Sequence, residues 1–348
     1  MPEPIPDLPL TCKYRKEGPT EAARSTSTDI ARLAGVSRAT VSYVLNDRAD
    51  QSISEATRDR VLAAARQLNY VPNAASRALR GGQSRLVMLI NSGIPWSTNI
   101  TEIEDELTSL VAASGRSLVV WRRQGPEDLL STLANLEPCV VMTMSKLSKS
   151  EKALLATVKI PLVEDDLVAP GSDVPARLQV EHLVAHGHER LGYLTTSDPT
   201  LQRFATPRTE GFLAACAEHG LPEPRVAALP GGMDLTIASV VEQLRAWQSE
   251  ADPVTAVACF NDFHAAVCLT AAAEMGLWVP ADLAVMGLDD DVFAPLTRPA
   301  LTSVRLDPRG LARHLWASAR HRLGEVPEPD PYVMAAHIVE RASVTDQV

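Results

Sequence analysis

The first part of the chain carries apolar side chains at the three- and four-residue spacing of amphipathic helices. From Ser25 onward this spacing predicts three short helices, the second from Ser37 to about Asn46 and the third from Ser54 to about Asn69. Ser37 and Ser54 are good N-caps, because a serine hydroxyl accepts a bond from the free N–H groups of the first turn. The inward stripes of these two helices are Val41, Val44 and Leu45, and Val61, Ala65 and Leu68. The break between the first two helices, Ala34 to Ser37, is so short that they must cross steeply, as in a helix-turn-helix.

The exposed side of the second helix carries residue types that read DNA. Arg38 lies in the first turn, where an arginine can donate two bonds to a guanine, worth about 1–3 kcal/mol of discrimination. The side opposite the apolar stripe carries Ala39, Ser42, Tyr43 and Asn46. The hydroxyls of Thr40 and Ser42 suit contacts with phosphates, which position a protein on the duplex without specifying a sequence. On an unrelated surface Arg38 would simply be solvated, so the flanking pattern is what favours DNA.

A fourth, very short helix is predicted just before residue 84, where the pattern of apolar and polar residues changes. Pro72 ends the third helix, Asn73 can cap the next one, and a glycine pair closes it after Leu79. Isolated helices shorter than about 12–15 residues are marginal in water, so we expect this one to be ordered only when something packs against it. Leu79 stands between Arg77 and Arg80, and an apolar residue flanked by arginines suits a wedge in the DNA minor groove.

Beyond residue 84, short apolar runs alternate with helix-period segments, which is the pattern of buried parallel strands and their crossover helices. Two series of strands are predicted, at Leu86–Ile90, Leu118–Trp121, Val140–Met144 and Pro161–Val163, and at Leu191–Thr195, Val226–Leu229, Ala256–Phe260 and Leu283–Gly287. Helices are predicted between these strands, for example at Ile100–Ser114, Gln179–His186, Pro207–His219, Leu235–Ser249 and Phe263–Met275. The tail adds Ser303–Leu306, Leu311–Arg322 and Tyr332–Glu340, which we expect to cross back and complete both sheets.

This alternation predicts an α/β core of two doubly wound parallel-sheet subdomains facing each other across a cleft, preceded by an all-α helix-turn-helix headpiece. The expected domains are a Pro-rich, disordered leader at 1–24, the DNA-binding headpiece at 25–72, a hinge helix and linker at 73–84, and an effector-binding and dimerisation core at 85–348. Within the core, we expect the first subdomain at about 85–166 and 292–322 and the second at about 167–291 and 323–348.

At these motifs the chain resembles the lactose-repressor/galactose-repressor family of bacterial transcription regulators. The run DIARLAGVSRATVSYVLN, the later LNYVPN and the spaced Leu79 sit at that family's intervals, and the core runs RLGYL, RTEGFLAACAEHGL, FNDFHAAVCLTAAAEMGLWVPADLAVMGLDDD and RPALTSVRLDPRGLA follow its pattern in order. The resemblance implies a core with the fold of periplasmic sugar-binding proteins. It also implies that Arg38, Ala39 and Tyr43 read the major groove and that Leu79 enters the minor groove. The expected DNA contacts are completed by Thr40, Ser42, Asn46, Asn73 and Ser76.

The effector candidates follow from the crevice that parallel sheets offer at the carboxyl ends of their strands, where Asn261 and Asp289 end two predicted strands. By resemblance, Arg208, Asn261 and Asp289 match positions that contact the effector in sugar-responsive members of the family. Trp96, the only aromatic residue in the stretch after the first core strand, is the fourth candidate. Carboxylate and guanidinium groups suit sugar hydroxyls because each grips two groups at once. An equally weighted alternative is that Asn261 caps a helix and Arg208 pairs with Asp289.

The chemical nature of the effector stays open at this level. Aromatic residues make up only 4% of the chain, so stacking surfaces for a sugar are scarce. A cationic effector, another molecule that is not a sugar, and no effector at all are therefore alternatives to a sugar.

The distribution of charge along the chain indicates DNA binding, although the net charge does not. The 348-residue chain has a formal net charge of −10, which by itself argues against nucleic acid. Between Arg24 and Arg85, however, ten arginines face five aspartates and glutamates, a net +5 that leaves −15 for the rest. A small basic module on an acidic body fits a DNA-binding protein whose body does not adhere to DNA.

Several classes of protein are disfavoured. The five cysteines, at positions 12, 139, 216, 259 and 268, form no C-x-x-C pair, which favours reduced thiols in the cytoplasm over a disulfide frame or zinc site. No apolar run reaches the roughly 18 residues that span a membrane. His182, His186 and His188 lack the ligand set of a zinc site. No nucleophile elbow, P-loop or dinucleotide fingerprint supports an enzyme, and no cofactor is expected.

The sequence therefore predicts a cytoplasmic, homodimeric regulator of transcription, most simply a repressor, that binds a near-palindromic operator and responds to a small molecule in the cleft between subdomains. The alternative is a small-molecule-binding protein of the same fold with no regulatory DNA specificity.

Overall fold

The computed structural model describes residues 25–45, 53–70, 84–91, 97–122, 127–144, 147–164 and 172–345. The chain divides into two compact units between Gln83 and Ser84.

The first unit contains three helices, α1 (Ser27–Ala34), α2 (Arg38–Leu45) and α3 (Glu55–Gln67). Thr26 begins α1 with a capping box, because its hydroxyl accepts from the Asp29 N–H while its own N–H donates to the Asp29 carboxylate at 2.9 Å. The apolar stripes meet in one small core of Ile30, Ala31, Ala34, Val41, Val44, Val61 and Ala64. Leu45, Ala65 and Leu68 pack against its edge, so the inward stripes predicted from the sequence are confirmed.

The core begins with a four-stranded parallel sheet of strand order β2-β1-β3-β4. Its elements are β1 (Leu86–Ile90), α4 (Thr98–Ala113), β2 (Ser117–Trp121), α5 (Glu127–Leu136), β3 (Val140–Thr143), α6 (Lys149–Thr157) and β4 (Leu162–Glu164). Alternate residues of β1 face opposite sides: Val87 and Leu89 pack with α4, whereas Met88 and Ile90 pack with α5 and α6. Both faces are therefore covered, as a parallel sheet requires.

A six-stranded sheet of order β10-β9-β8-β7-β5-β6 forms the rest of the core, and only β10 is antiparallel. Its elements are α7 (Val174–Ala185), β5 (Leu191–Thr196), α8 (Gln202–Glu218), β6 (Arg225–Leu229), α9 (Ile237–Gln248), β7 (Ala256–Cys259), α10 (Asp262–Glu274), β8 (Ala284–Leu288), β9 (Thr302–Leu306), α11 (Pro308–Arg322) and β10 (Ala336–Val339). Helices α7 and α8 cover one face and α9 and α10 the other.

The tail departs from the sequence prediction. We expected residues 292–322 in the first subdomain and the tail to complete both sheets, but β9 pairs with β8 and β10, so both tail strands join the second sheet. The reason is burial: Ala294 and Leu301, which lead into β9, pack in the apolar core of the second sheet. Of that range, only α11 packs with the first sheet, through Leu311 and Leu315.

Helix α8 also begins earlier than predicted. The sequence prediction placed its start at Pro207, yet the helix begins at Gln202 and contains Pro207. The extra turn buries Leu201 and Ala205 against Phe260. This apolar contact outweighs the backbone hydrogen bond that the proline removes. Helices α5 and α6 lie between strands, as the predicted alternation implies, although no bounds were predicted for them.

Candidate functional site

The turn between α1 and α2 sets the angle of the second helix. Gly35 ends α1 in the left-handed conformation, with φ 67° and ψ 40°, and its N–H donates to the Ala31 carbonyl. Ser37 then caps α2 by accepting a hydrogen bond from the Thr40 N–H at 3.0 Å. At the far end of the unit, the Ser25 hydroxyl donates to the Leu68 carbonyl at 2.8 Å, which ties the start of α1 to the end of α3. The second helix is thus held by caps as well as by its core.

The outward side of α2 presents the predicted reading residues. Arg38 and Ala39 are exposed, and Tyr43 is half-buried. Within the described residues, no hydrogen bond or ion pair engages the Arg38 guanidinium. Thr40 is less available than the sequence suggested, because its hydroxyl shares a 2.9 Å hydrogen bond with the Ser37 cap.

Several predicted site residues fall outside the described part of the chain. They are Asn46, Asn73, Ser76 and Leu79 of the DNA set and Trp96 of the effector set.

In the core, three predicted effector residues come together at the ends of β7 and β8. The Arg208 guanidinium donates to the Phe260 carbonyl at 2.9 Å, lies over the Phe260 ring at 4.9 Å, and stands 3.6 Å from an Asp289 oxygen. Asn261 follows Phe260 directly and caps α10, accepting from the His264 N–H at 3.0 Å. Both halves of the alternative reading, the cap and the ion pair, are therefore present in the same cluster.

His264 fixes the orientation of the Asn261 amide. Its Nδ1 lies 2.6 Å from the Asn261 Oδ1, and since an amide oxygen only accepts, Nδ1 must carry the proton. With Oδ1 taken by two donors, the Asn261 NH₂ group is left to face other partners. His264 is only 2% exposed, and burial lowers its pKa to about 4, so the ring is neutral.

Three consecutive aspartates form the loop that leaves β8. Asp289 and Asp290 have positive φ angles of 108° and 51°, a strained conformation for residues with side chains. Burial raises the pKa of Asp289 to about 6, an effect that the nearby Arg208 opposes. The Asp289 carboxylate also accepts a hydrogen bond from the Asn99 amide at 3.2 Å, and Asn99 belongs to α4 of the other sheet. The loop therefore touches both subdomains.

A buried carboxyl group, that of Asp262, holds this loop by a hydrogen bond. Asp262, at the start of α10, accepts from the Ser303 hydroxyl and from the Asp291 N–H, each at 2.6 Å. It is 1% exposed, and burial raises its pKa to about 8, so it is largely protonated at neutral pH. Gly287 has to be a glycine here, because a Cβ would lie 2.0 Å from an Asp262 oxygen.

Sequence reasoning missed Asn99, Asp262 and His264. Asp262 and His264 adjoin Asn261, so a search of the first turn of α10 would have found them. Asn99 comes from a separate sheet, and its local pattern is that of an ordinary helix start. Its Oδ1 is buried without a hydrogen-bond partner, as is the Tyr193 hydroxyl.

The histidine group has a structural explanation. His186 Nδ1 lies 2.8 Å from the His182 carbonyl, and His188 Nε2 lies 3.2 Å from the Thr345 carbonyl. Across the described residues, no group of three or more His, Cys, Asp or Glu side chains could hold a metal ion. Nor does any described helix combine the length and apolarity required to cross a membrane.

Comparison with known proteins gives two matching family models. A model described as bacterial regulatory proteins, lacI family, matches residues 26–73, and one for a periplasmic binding protein-like domain matches residues 180–344. The HTH-type transcriptional repressor PurR of Photobacterium profundum is 29% identical over 307 residues, which cover 83% of this chain and 89% of that protein. The HTH-type transcriptional regulator GalR of Salmonella typhimurium is 28% identical over 335 residues, or 92% and 96%.

Solved structures agree with these matches. The Lac repressor dimer bound to operator and the anti-inducer ONPF aligns with a TM-score of 0.75 at 26% identity, covering 92% of this chain and 99% of that one. A complex of the transcriptional regulator CelR with cellobiose shares the fold, with a TM-score of 0.62 at 24% identity over 92% of this chain and all of that one. The chain therefore joins a helix-turn-helix domain of the lacI family of bacterial regulatory proteins to a periplasmic-binding-protein-like domain, and it is a DNA-binding transcriptional regulator, not an enzyme.

Proposed function

We propose that this regulator represses transcription by binding a near-palindromic operator as a homodimer, under control of a small molecule bound in its core. The main support for DNA binding is the state of Arg38. Its side chain is exposed in the first turn of a capped helix, and no described residue engages its guanidinium. An unengaged guanidinium in this position is ready for bidentate donation to a guanine. Ala39 and Tyr43, one turn apart on the same helix, complete the proposed major-groove contacts.

The remaining contacts rest on family resemblance. Thr40, Ser42 and Asn46 are proposed to hold the phosphate backbone or bases beside α2, and Asn73, Ser76 and Leu79 to act in the minor groove. The half-sites would be read by two headpieces related by a two-fold axis.

Replacing Arg38 tests the reading role. DNA is first selected from a random pool with the wild-type protein, and operator affinity is then measured for Arg38→Ala and Arg60→Ala. Arg60 is an exposed arginine of α3, so its loss removes the same charge from another helix. We expect Arg38→Ala to lose about 5- to 150-fold in operator affinity, the equivalent of about 1–3 kcal/mol, and to relax preference at one base pair. Equal losses for both variants would contradict base reading by Arg38.

For the effector, we infer that Arg208, Asn261 and Asp289 form the binding group, with Trp96 as a further contact. Arg208 and the oriented Asn261 amide offer hydrogen-bond donors, while Asp289 offers an acceptor, so a ligand must present both kinds of group. Hydroxyl groups meet this requirement, and so do other polar groups, which leaves a sugar as one option among several.

A metabolite screen by thermal shift, followed by one substitution, tests this site. The Asp289→Asn variant should lose at least about tenfold in affinity for any metabolite that stabilises the wild type, because the amide cannot replace a charged acceptor. Asp252→Asn, at an exposed aspartate of the same unit, is the control and should bind normally. Normal binding by Asp289→Asn would place the effector elsewhere.

Homodimer formation is supported by an exposed apolar group beside the aspartate loop. Phe263, Val292 and Leu296 are 43%, 62% and 71% exposed, and the 2.6 Å bond between Asp262 and the Asp291 N–H brings their segments together. Exposed apolar side chains on neighbouring segments are typical of surfaces that a second chain covers. Sedimentation equilibrium at micromolar concentration should give the mass of two chains, and a monomer at all concentrations would contradict the proposal.

A further inference from the structure

The segment Asp289–Val292 makes three direct contacts with the first turn of α4 in the other subdomain. Asp289 accepts from Asn99 at 3.2 Å, and Asp291 accepts from the Thr98 hydroxyl at 2.5 Å, which in turn lies 3.3 Å from the Val292 N–H. Asp290, between them, reaches α4 indirectly through Arg305. Each of three successive residues is therefore linked to the first turns of one helix.

Arg305 belongs to a series of ion pairs in which arginines and carboxylates alternate. Its guanidinium donates to Glu102 of α4 at 2.7 Å and to Asp290 at 3.3 Å. Arg341 holds the other Asp290 oxygen at 2.6 Å, and Arg309 stands 3.4 Å from the second Glu102 oxygen. Glu102 and Asp290 are 19% and 11% exposed, so solvent screens these pairs less than it screens ordinary surface pairs.

Arg305 lies where the polypeptide crosses from one subdomain to the other. Arg305 lies on β9 in the second sheet, two residues before Asp307, where the chain passes to α11 of the first subdomain. An ion pair at this crossover, joining the two subdomains, bears directly on the angle between them.

We propose that Glu102 and Arg305 form a latch that regulates the effector site: it fixes the angle between the subdomains and couples the Asp289 loop to operator affinity. This inference rests on the proposed effector site, because Asp289 binds the ligand there and Asp290, its neighbour, carries the latch. A ligand that pulls on Asp289 shifts Asp290 and hence Arg305 and α4. The positive φ angles of Asp289 and Asp290 show that the loop holds backbone strain, which a movement of the loop can release.

Helix α4 provides a matched control one turn further along. Glu106 pairs with Arg313 of α11 at 3.4 Å, so this ion pair joins two helices of the same subdomain. Glu106→Gln removes this pair, whereas Glu102→Gln removes the pairs with Arg305 and with Arg309 of α11. Of these three ion pairs, only the one with Arg305 crosses between the subdomains. Arg305→Lys keeps the charge but lacks the planar fork that bridges two carboxylates.

The first measurement is amide hydrogen exchange on the full-length, ligand-free variants. We expect Glu102→Gln and Arg305→Lys to speed exchange of the loop amides at Asp290, Asp291 and Val292 by about fivefold or more, while Glu106→Gln leaves them unchanged. Unchanged exchange in both latch variants, or equal changes in Glu106→Gln, would overturn the latch.

The second measurement is operator affinity of the same variants, with DNA selected by the wild type. A change of about fivefold or more in either direction for Glu102→Gln, absent in Glu106→Gln, is the expected result. Faster loop exchange with wild-type operator affinity would overturn the coupling. Neither measurement requires the effector, so a failure of the proposed ligand site, seen with Asp289→Asn, remains a separate outcome.

Discussion

At the scale of single residues, burial sets the protonation of two side chains beside the proposed effector site. Asp262 and His264 lie two positions apart in the first turn of α10, yet their environments act in opposite ways. Burial raises the pKa of Asp262 to about 8 and lowers that of His264 to about 4, so both are largely uncharged at neutral pH. Uncharged side chains here leave Arg208 and Asp289 as the charged pair of the cluster.

The raised pKa of Asp262 makes the stability of the core depend on pH. Between the ordinary carboxyl pKa, near 3.8, and about 8, the folded state holds a proton that the unfolded chain has lost. The free energy of unfolding must therefore fall as pH rises through this window, by up to about 1.4 kcal/mol per pH unit. Asp289, with a pKa of about 6, adds the same sign at lower pH, whereas His264 acts oppositely between about 4 and its ordinary 6.5.

Asp262→Asn isolates this effect. An asparagine can still accept from the Asp291 N–H, and its NH₂ group can donate to the Ser303 hydroxyl, which reverses the direction of that bond. Both contacts are therefore kept while the titration is lost. We expect urea unfolding of the wild type to weaken from pH 6.5 to 8 and that of the variant to stay nearly flat. Tryptophan fluorescence reports on the core alone, because residues 25–83 contain no tryptophan. Parallel pH profiles would show that Asp262 does not hold a proton in the folded state.

At the scale of elements, the turn after α1 carries the geometry of the headpiece. Gly35 adopts a left-handed conformation, and apart from its own neighbouring backbone no atom lies within 4 Å of where its Cβ would be. A substitution there is opposed by backbone strain alone, which costs about 1–2 kcal/mol for most residues and less for asparagine.

Gly35→Ala should therefore lower the free energy of local opening in residues 27–45 by about 1 kcal/mol, as read by amide hydrogen exchange. Gly35→Asn, which tolerates this conformation better, should lose clearly less. Equal behaviour of the two variants would show that backbone conformation at position 35 does not limit headpiece stability.

Element positions were largely predictable, and the reason is burial. Strand β1 was predicted at its observed limits, and the other seven strands of the two predicted series within two residues, because buried parallel strands are short apolar runs. Asn261 and Asp289 were predictable as candidates because the ends of neighbouring strands meet at one edge of a sheet. Helix α8 was misplaced because a contact with Phe260, 55 residues after Ala205, decides its start.

Contacts between the subdomains could not be predicted from local sequence patterns. Glu102 and Arg305 are 203 residues apart, and each looks like an ordinary surface charge on its own element. The assignment of residues 292–322 failed for the same reason, since β9, with the sequence TSVRL, carries no local signal that favours either sheet. The packing of Ala294, Leu301 and Val304 in the core of the second sheet decides the position of β9.

At the scale of the whole molecule, charge is separated along the chain. The segment from Arg24 to Arg85 carries +5 and the rest −15, so the attraction to phosphates is confined to the part that reads sequence. Such a distribution predicts salt-dependent binding through the headpiece, with the core contributing no general affinity for DNA.

The most direct test of this account is a salt series of binding to selected operator and to a scrambled duplex of the same length. A specific regulator shows both a negative slope of log affinity against log salt and a large ratio between the two DNAs, typically about 10³ or more. We predict both for the wild-type protein. Equal affinity for the two duplexes, with or without metabolites, would contradict the account and leave a small-molecule-binding protein without regulatory DNA specificity.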